Sequence, residues 1–163
     1  MPVDPVGLII ATVVEKQFMG YAKLLLAGLA GSTVLTLTHQ LLRYTLSASP
    51  RLDLLGMQAM EKGLKRLHLP VPQEPALFGI TLAGDVLGNA AYYSLGGMAG
   101  VSRKRLTTIL GIAAGIGAVA LPGKMHLDPS YTRKSLSTTL LTVALYTAGG
   151  IVAGVVMDRI AKS

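Results

Sequence analysis

The sequence predicts an all-α integral membrane protein, a four-transmembrane-helix bundle with one or two amphipathic interfacial helices, forming a single membrane domain over all 163 residues. Hydrophobic residues make up 51% of the chain and charged residues only 14%, whereas charged residues are about 25% of a typical soluble domain. Four apolar stretches are separated by gaps that hold most of the basic residues, as in multi-pass membrane proteins. We therefore expect a multi-pass location in a bacterial-type inner (plasma) membrane.

The first element is an amphipathic segment at about residues 6–20, which leads into a first span at about 24–42. Apolar residues recur at helical spacing in the opening segment, which indicates one apolar face of a helix. Glu15 and Lys16 interrupt the run, so the segment is too short to cross a hydrocarbon core of about 30 Å. We expect an interfacial helix that continues directly into the first span.

A second amphipathic helix is predicted at about 51–68, in the largest gap between apolar stretches. Its leucines share one face, and Asp53 and most other charged residues fall on the remaining faces. Ser49-Pro50 gives a start signal, and Pro70 ends the pattern. Two interpretations remain open, because such a helix either lies on anionic lipid or packs over one end of the bundle.

The remaining spans are predicted at about 76–98, 106–121 and 136–157. The third is short, because it is confined between the basic run at 103–105 and Pro122. A span of this length sits upright, thins the bilayer, or is shielded by neighbouring helices. Its composition of glycine, alanine, isoleucine and leucine favours the shielded position.

Glycine pairs at a spacing of four occur in three consecutive spans. They are Gly84 and Gly88, Gly111 and Gly115, and Gly150 and Gly154. This spacing removes side-chain bulk from one stripe of a helix and lets two backbones approach closely. We expect a tightly packed bundle, in which each stripe contacts a helix of the same chain or of another copy.

Asp85 lies in the middle of the second span, and Asn89 follows one helical turn later. An aspartate at the centre of a span costs about 2.5–3.5 kcal/mol on insertion, so this helix should turn its polar face toward protein. Antiparallel packing places Thr36 of the first span near Asp85 in height, and His39 closer to the surface. The candidate ligand- or ion-binding residues are Asp85, Asn89, Tyr92, Thr36, His39 and Tyr146.

Two interpretations of Asp85 compete. In the structural one, threonine and tyrosine hydroxyls hold the carboxyl group and fix the register of the helices. In the functional one, Asp85 binds a proton or a cation, because burial couples the charge of a carboxyl group to its ligand.

The net charge of +7 is compatible with nucleic acid or with a membrane surface. Because the basic residues lie between apolar stretches, we expect membrane lipids, including anionic ones, as partners and no nucleic acid. The head-group candidates are Arg51, Arg103, Lys104 and Arg105.

Enzyme chemistry finds little support in the sequence. The chain has no cysteine, and its three histidines occur at unrelated spacings, so no metal site or catalytic residue is predicted. No nucleotide-binding or nucleophile motif occurs, and we expect no cofactor.

The first functional hypothesis is transport or permeation of a small ion or solute, with Asp85 as the buried carboxylate, in a homo-oligomer. The alternative is a non-catalytic subunit or scaffold that contacts other membrane subunits. A third hypothesis is a lipid-binding or lipid-modifying protein that works at the basic interface.

Overall fold

The computed structural model describes residues 5–98 and 102–162, and it describes side chains for residue 17 and from residue 20 onward within those ranges. In this part of the chain all regular structure is helical. The helices are α1 (Pro5–Thr45), α2 (Leu52–Arg66), α3 (Glu74–Ser94), α4 (Arg103–Ala120), α5 (Ser130–Arg133) and α6 (Leu136–Ile160). Short 3₁₀ turns follow α3 at Leu95–Gly97 and α4 at Pro122–Met125.

Helix α1 joins the predicted interfacial helix at 6–20 and the predicted first span at 24–42 into one uninterrupted element. No proline occurs between Pro5 and Pro50, so nothing in this stretch removes a backbone donor or kinks the helix. At about 1.5 Å per residue, its 41 residues extend for about 60 Å. The apolar face predicted for the opening segment lies outside the described side chains.

The four long helices pack in the order α3, α1, α6, α4, and each is antiparallel to its neighbour. Helices α4 and α6 form the largest interface, and α1 contacts both α6 and α3. The outer helices α3 and α4 touch each other only slightly. A groove therefore opens between α3 and α4, and α2 covers one end of it by packing against α3.

Glycines set the close approach of α4 to α6. A Cβ atom added to Gly111 would lie 2.6 Å from the carbonyl oxygen of Tyr146, and one on Gly115 would lie 2.7 Å from the α6 backbone. Gly150 and Gly154 present the matching stripe on α6, where an added Cβ atom would collide with α4. Two of the three predicted glycine pairs therefore face each other within one chain.

Helix α1 uses glycines that the four-residue pattern did not identify. An added Cβ atom on Gly28 would collide with the backbone of Ala90 in α3, and one on Gly31 would collide with the backbone of Gly149 in α6. These contacts hold α1 between its two neighbours.

The glycine pair on α3 is not used in this way. Gly88 has no non-local atom within 4 Å of an added Cβ atom, and Gly84 meets only the methyl group of Met60, at 3.5 Å. Both residues are exposed. Apart from the Met60 methyl group of α2, this face of α3 is therefore free of close contact with the described part of the chain.

Two described helical segments, Gly20–Thr45 and Leu136–Ile160, are long and apolar enough to cross a membrane. The sequence predicted four. Helix α3 falls short because Asp85 and Asn89 lower its mean hydropathy, and α4 falls short because its first three residues are basic. The structure thus gives a helical protein with two candidate spans.

Helix α2 corresponds to the amphipathic helix predicted at 51–68. Gly56 lets it approach α3, since a Cβ atom there would lie 2.7 Å from the methyl group of Thr81. The helix ends before His68, which has a left-handed backbone with φ of 56°. Its polar face is not uniformly solvated, because the side chain of Asp53 is only 3% exposed.

Candidate functional site

The groove between α3 and α4 has a volume of about 590 Å³. Small and apolar side chains of α2 and α4 form most of its wall. The polar residues that line it are Asp85, Asn89 and Tyr92 of α3 and Tyr146 of α6. The groove is thus an apolar cleft with a small group of polar side chains, which is the usual make-up of a small-molecule site.

Asp85 is held by neutral donors. The Nδ2 atom of Asn89 donates to Oδ1 of Asp85 at 2.9 Å, and the hydroxyl of Thr36 donates to Oδ2 at 3.3 Å. Thr36 is the residue expected near this height from antiparallel packing. Within the described residues no cationic side chain forms an ion pair with Asp85. Any negative charge on Asp85 is therefore not neutralised by a partner at this position.

A small cavity connects Asp85 to a second polar cluster near the end of α1. Its volume is about 30 Å³, comparable with the space one water molecule takes up. His39, Asp53 and Asp85 all line it, and so does Thr81, whose buried hydroxyl has no hydrogen-bond partner among the described residues. Polar groups therefore continue from the groove to the α1–α2 junction.

The second cluster is centred on Asp53 of α2. Arg43 donates to Oδ2 of Asp53 at 2.8 Å, while Arg51 donates to Oδ2 at 2.9 Å and to Oδ1 at 3.1 Å. His39 Nε2 lies 3.0 Å from the carbonyl oxygen of Pro50 and 3.9 Å from Asp53. These bonds tie the start of α2 to the end of α1.

Burial alone would raise the pKa of Asp53, but the hydrogen bond from Arg51 and the positive charges of Arg51 and Arg43 outweigh it and hold the pKa below its usual value. The same pairing raises the pKa of Arg51. Asp53 and Arg51 are therefore both charged at neutral pH.

The structure brings the six predicted ligand- or ion-binding residues to one region. Asp85, Asn89, Tyr92 and Tyr146 line the groove, and Thr36 and His39 line the adjoining small cavity. The head-group candidates do not assemble. Arg51 is at the α1–α2 junction, and Arg103, Lys104 and Arg105 begin α4 at the opposite end of the bundle.

The role of Asp53 was not predicted from the sequence. Its place in the amphipathic pattern predicted a position on the polar, outward face of a helix, whereas the structure buries it against Arg43 and Arg51. One signal was present, because Arg43 and Asp53 both flank the turn at 46–50, which reverses the chain. Opposite charges on the two sides of a turn that reverses the chain are well placed to form an ion pair.

Comparison with protein-family models, with curated proteins and with solved structures gives no match. Among the described residues no group of three or more histidine, aspartate or glutamate side chains is arranged to hold a metal ion. Function must therefore be argued from the groove itself.

Proposed function

We propose that the protein is a four-span membrane protein that moves a small cation across the bilayer, with Asp85 as the carboxylate that binds the moving charge. The outer surfaces of the four long helices support a membrane location. Leu26, Leu87, Ile116 and Leu140, one from each helix, are 60%, 66%, 54% and 61% exposed. Exposed apolar surface of this extent marks contact with lipid or protein.

The polar residues that lower the hydropathy of α3 do not oppose this location. Asp85 and Asn89 point into the groove and toward α1, away from the exposed Ile80 and Leu87 of the same helix. A charged group within a span is tolerated when it faces the interior of the bundle or a water-filled cavity. On this argument α3 and the short α4 are spans that depend on their neighbours.

The observation that carries the proposal is an aspartate without a cationic partner in an apolar groove of about 590 Å³. Within such a groove, a cation is the ligand that neutralises the carboxylate, because an unpaired charge away from water is costly. The side chains of Tyr92 and Tyr146 line the same space. Aromatic rings attract cations through their π faces, so they favour an organic cation with an apolar body.

The experiment is a flux assay in liposomes that contain the purified full-length protein and an enclosed pH-sensitive dye. Proton uptake is measured with the dye, and uptake of radiolabelled tetraethylammonium, an organic cation that crosses a protein-free bilayer slowly, is measured alongside, for the wild type and for Asp85→Asn. We expect Asp85→Asn to reduce flux by about tenfold or more, which corresponds to about 1.4 kcal/mol or more of lost cation binding. The amide keeps the shape of the side chain: its oxygen still accepts from Asn89, and its nitrogen can donate to the hydroxyl of Thr36, which reverses that bond, so the variant should fold.

The matched control is Asp128→Asn, which removes the same charge from a loop where Asp128 accepts a hydrogen bond from the backbone of Ser130. It should carry flux at the wild-type rate. Far-UV circular dichroism checks that each variant keeps its helices. Equal flux in the wild type and in folded Asp85→Asn would contradict the proposal.

A second candidate function is a subunit or scaffold of a larger membrane complex, and the open face of α3 favours it. Gly84 and Gly88 leave a shallow strip between the exposed side chains of Ile80 and Leu87, and such a strip suits close packing of another helix. That helix would come from a second copy or from an unrelated subunit. Native mass spectrometry of the wild type and of Gly88→Leu distinguishes these cases, because only a contact through this face is lost in the variant.

A further inference from the structure

A separate pocket lies at the junction of α1, α2 and α5, on the outer side of the Asp53 cluster. Its volume is about 470 Å³, and we call it the elbow pocket. Arg43, Arg51 and Lys134 line it, together with the hydroxyl-bearing residues Ser47 and Ser130. The basic side chains come from three parts of the chain, so the fold, and not a local run of charge, assembles them.

The charge of the elbow pocket is positive. Asp53 lies behind it and pairs with Arg43 and Arg51, and none of the described acidic residues lines the pocket itself. Three positive charges against this one negative charge leave a net charge of +2. Lys134 is exposed and has no ion-pair partner among the described residues.

Asp53 positions the two arginines and leaves a terminal donor of Arg51 unused, whereas both terminal nitrogens of Arg43 are already bonded, to Asp53 and to the hydroxyl of Tyr44. Arg51 directs Nε and one terminal nitrogen to Asp53, which leaves the other terminal nitrogen without a hydrogen bond to the described residues. Guanidinium groups held in place bind phosphate oxygens well, because their planar donors match the geometry of the anion. Serine hydroxyls supply further donors to such an anion.

Apolar side chains also line the pocket. Leu46 is 42% exposed there, and Leu54 is half-buried. A positively charged pocket with apolar side chains in its wall matches a ligand with an anionic head and hydrocarbon chains.

We propose that the elbow pocket binds a phosphate group, and that an anionic phospholipid head group supplies it. The phosphate chemistry follows from Arg43, Arg51 and Lys134 and is independent of Asp85. The lipid as its source rests on the membrane location proposed above. Binding at this point would connect α1, α2 and the segment before α6.

The test measures thermal unfolding of the full-length protein by far-UV circular dichroism in a zwitterionic detergent. One arm adds phosphatidylglycerol, with phosphatidylcholine as its neutral reference, and the other adds inorganic phosphate at constant ionic strength. We expect phosphatidylglycerol to raise Tm at low concentration, and inorganic phosphate to do so only at much higher concentration because it has no acyl chains.

The variants are Lys134→Ala and Arg51→Gln, with Lys124→Ala as a matched control at the same end of the bundle but outside the pocket. We expect each pocket variant to need about tenfold more phosphatidylglycerol than the wild type for the same rise in Tm, because each has lost one charge-assisted contact with the phosphate. The control should match the wild type. Lys134→Ala keeps the test valid even if Arg51→Gln weakens the fold, because Lys134 is exposed and pairs with no acid.

No rise in Tm with either probe, or an equal rise in the wild type and in Lys134→Ala, would overturn the proposal. The proposal would also be overturned if the rise in Tm were lost only when Arg103, Lys104 and Arg105 are neutralised, because the binding site would then lie at the start of α4. A full effect from inorganic phosphate, with none added by the lipid, would keep the phosphate site and refute the lipid source. Because Asp85→Asn leaves the pocket intact, loss of flux and loss of lipid stabilisation are separate outcomes.

Discussion

The tight packing of α4 against α6 predicts that alanine at Gly111 destabilises the protein. The added Cβ atom would lie 2.6 Å from the carbonyl oxygen of Tyr146, whereas ordinary contacts begin at 3.4 Å. The obstacle is backbone, so it cannot rotate away, and the two helices must separate by about 0.8 Å at this point. Such a separation also loosens the neighbouring contacts of Gly115 and Gly150.

The size of the effect follows from two opposing contributions. Overpacking costs about 1–3 kcal/mol, and the higher helix propensity of alanine offsets about 0.8–1 kcal/mol of that. The net loss is therefore about 0–2 kcal/mol, or up to roughly 8 °C in Tm at about 2–4 °C per kcal/mol for a chain of this length, and the loss relative to a glycine-to-alanine change without a collision is about 1–3 kcal/mol.

The matched control is Gly79→Ala on α3, where an added Cβ atom meets nothing within 4 Å. It gains helix propensity without a collision, so Tm should stay level or rise by a few degrees. Thermal unfolding followed by far-UV circular dichroism measures both variants. If Gly111→Ala is as stable as Gly79→Ala, the packing argument for α4 and α6 is wrong.

Further predictions concern two buried contacts. Asp53→Asn leaves the charges of Arg43 and Arg51 without their partner and should cost about 3 kcal/mol, at the low end for a buried pair because Arg51 is about half exposed. The stability that ionised Asp53 contributes is fully present above its unfolded pKa of 3.8 and is lost as the pH falls through its lower folded pKa. The difference between wild type and variant should therefore be constant near neutral pH and shrink in strong acid, and a difference that shrinks between pH values of about 8 and 6 would contradict this assignment. Tyr93→Phe removes the 2.8 Å hydrogen bond to the carbonyl oxygen of Tyr146 and should lower stability by about 1 kcal/mol, whereas an unchanged Tm would indicate that this bond contributes nothing.

The limits of the helices could be predicted from the sequence because prolines and charged residues define them. The predicted segments at 51–68 and 136–157 agree with α2 and α6 within a few residues. The opening segment and the first span form one helix, as expected, because the charges of Glu15 and Lys16 lower the hydropathy of the segment but do not interrupt backbone hydrogen bonding. Hydropathy indicates which part of a helix can be buried, whereas the positions of prolines indicate where a helix ends.

The sequence predicted which residues lie at the same depth as Asp85 along the helix axes. It did not predict which side of a neighbouring helix faces Asp85. Counting residues in two antiparallel helices gave the height of Thr36 correctly, because the rise per residue is fixed. Tyr146 of α6 lines the groove with Asp85, whereas the hydroxyl of Thr142, one helical turn away, donates to the carbonyl oxygens of Thr132 and Thr138. The side of α6 that faces Asp85 depends on how α6 packs against α4 through Gly150. Counting residues along the helices gives no information about this contact.

This distinction bears on how the groove arises. The glycine stripes bring α4 close to α6, and Gly28 and Gly31 bring α1 close to its two neighbours. Each pair of adjacent helices is therefore closely packed, whereas the two outer helices, α3 and α4, are not packed against each other. Asp85 and Asn89 lie at that open side, and the small residues of α4 face them without filling the space.

A larger side chain at Ala114, which lines the groove, would fill that space without touching the glycine contacts. We therefore expect Ala114→Leu to block cation flux while leaving Tm within a few degrees of the wild type, and normal flux in that variant would show that the moving ion does not pass through the groove.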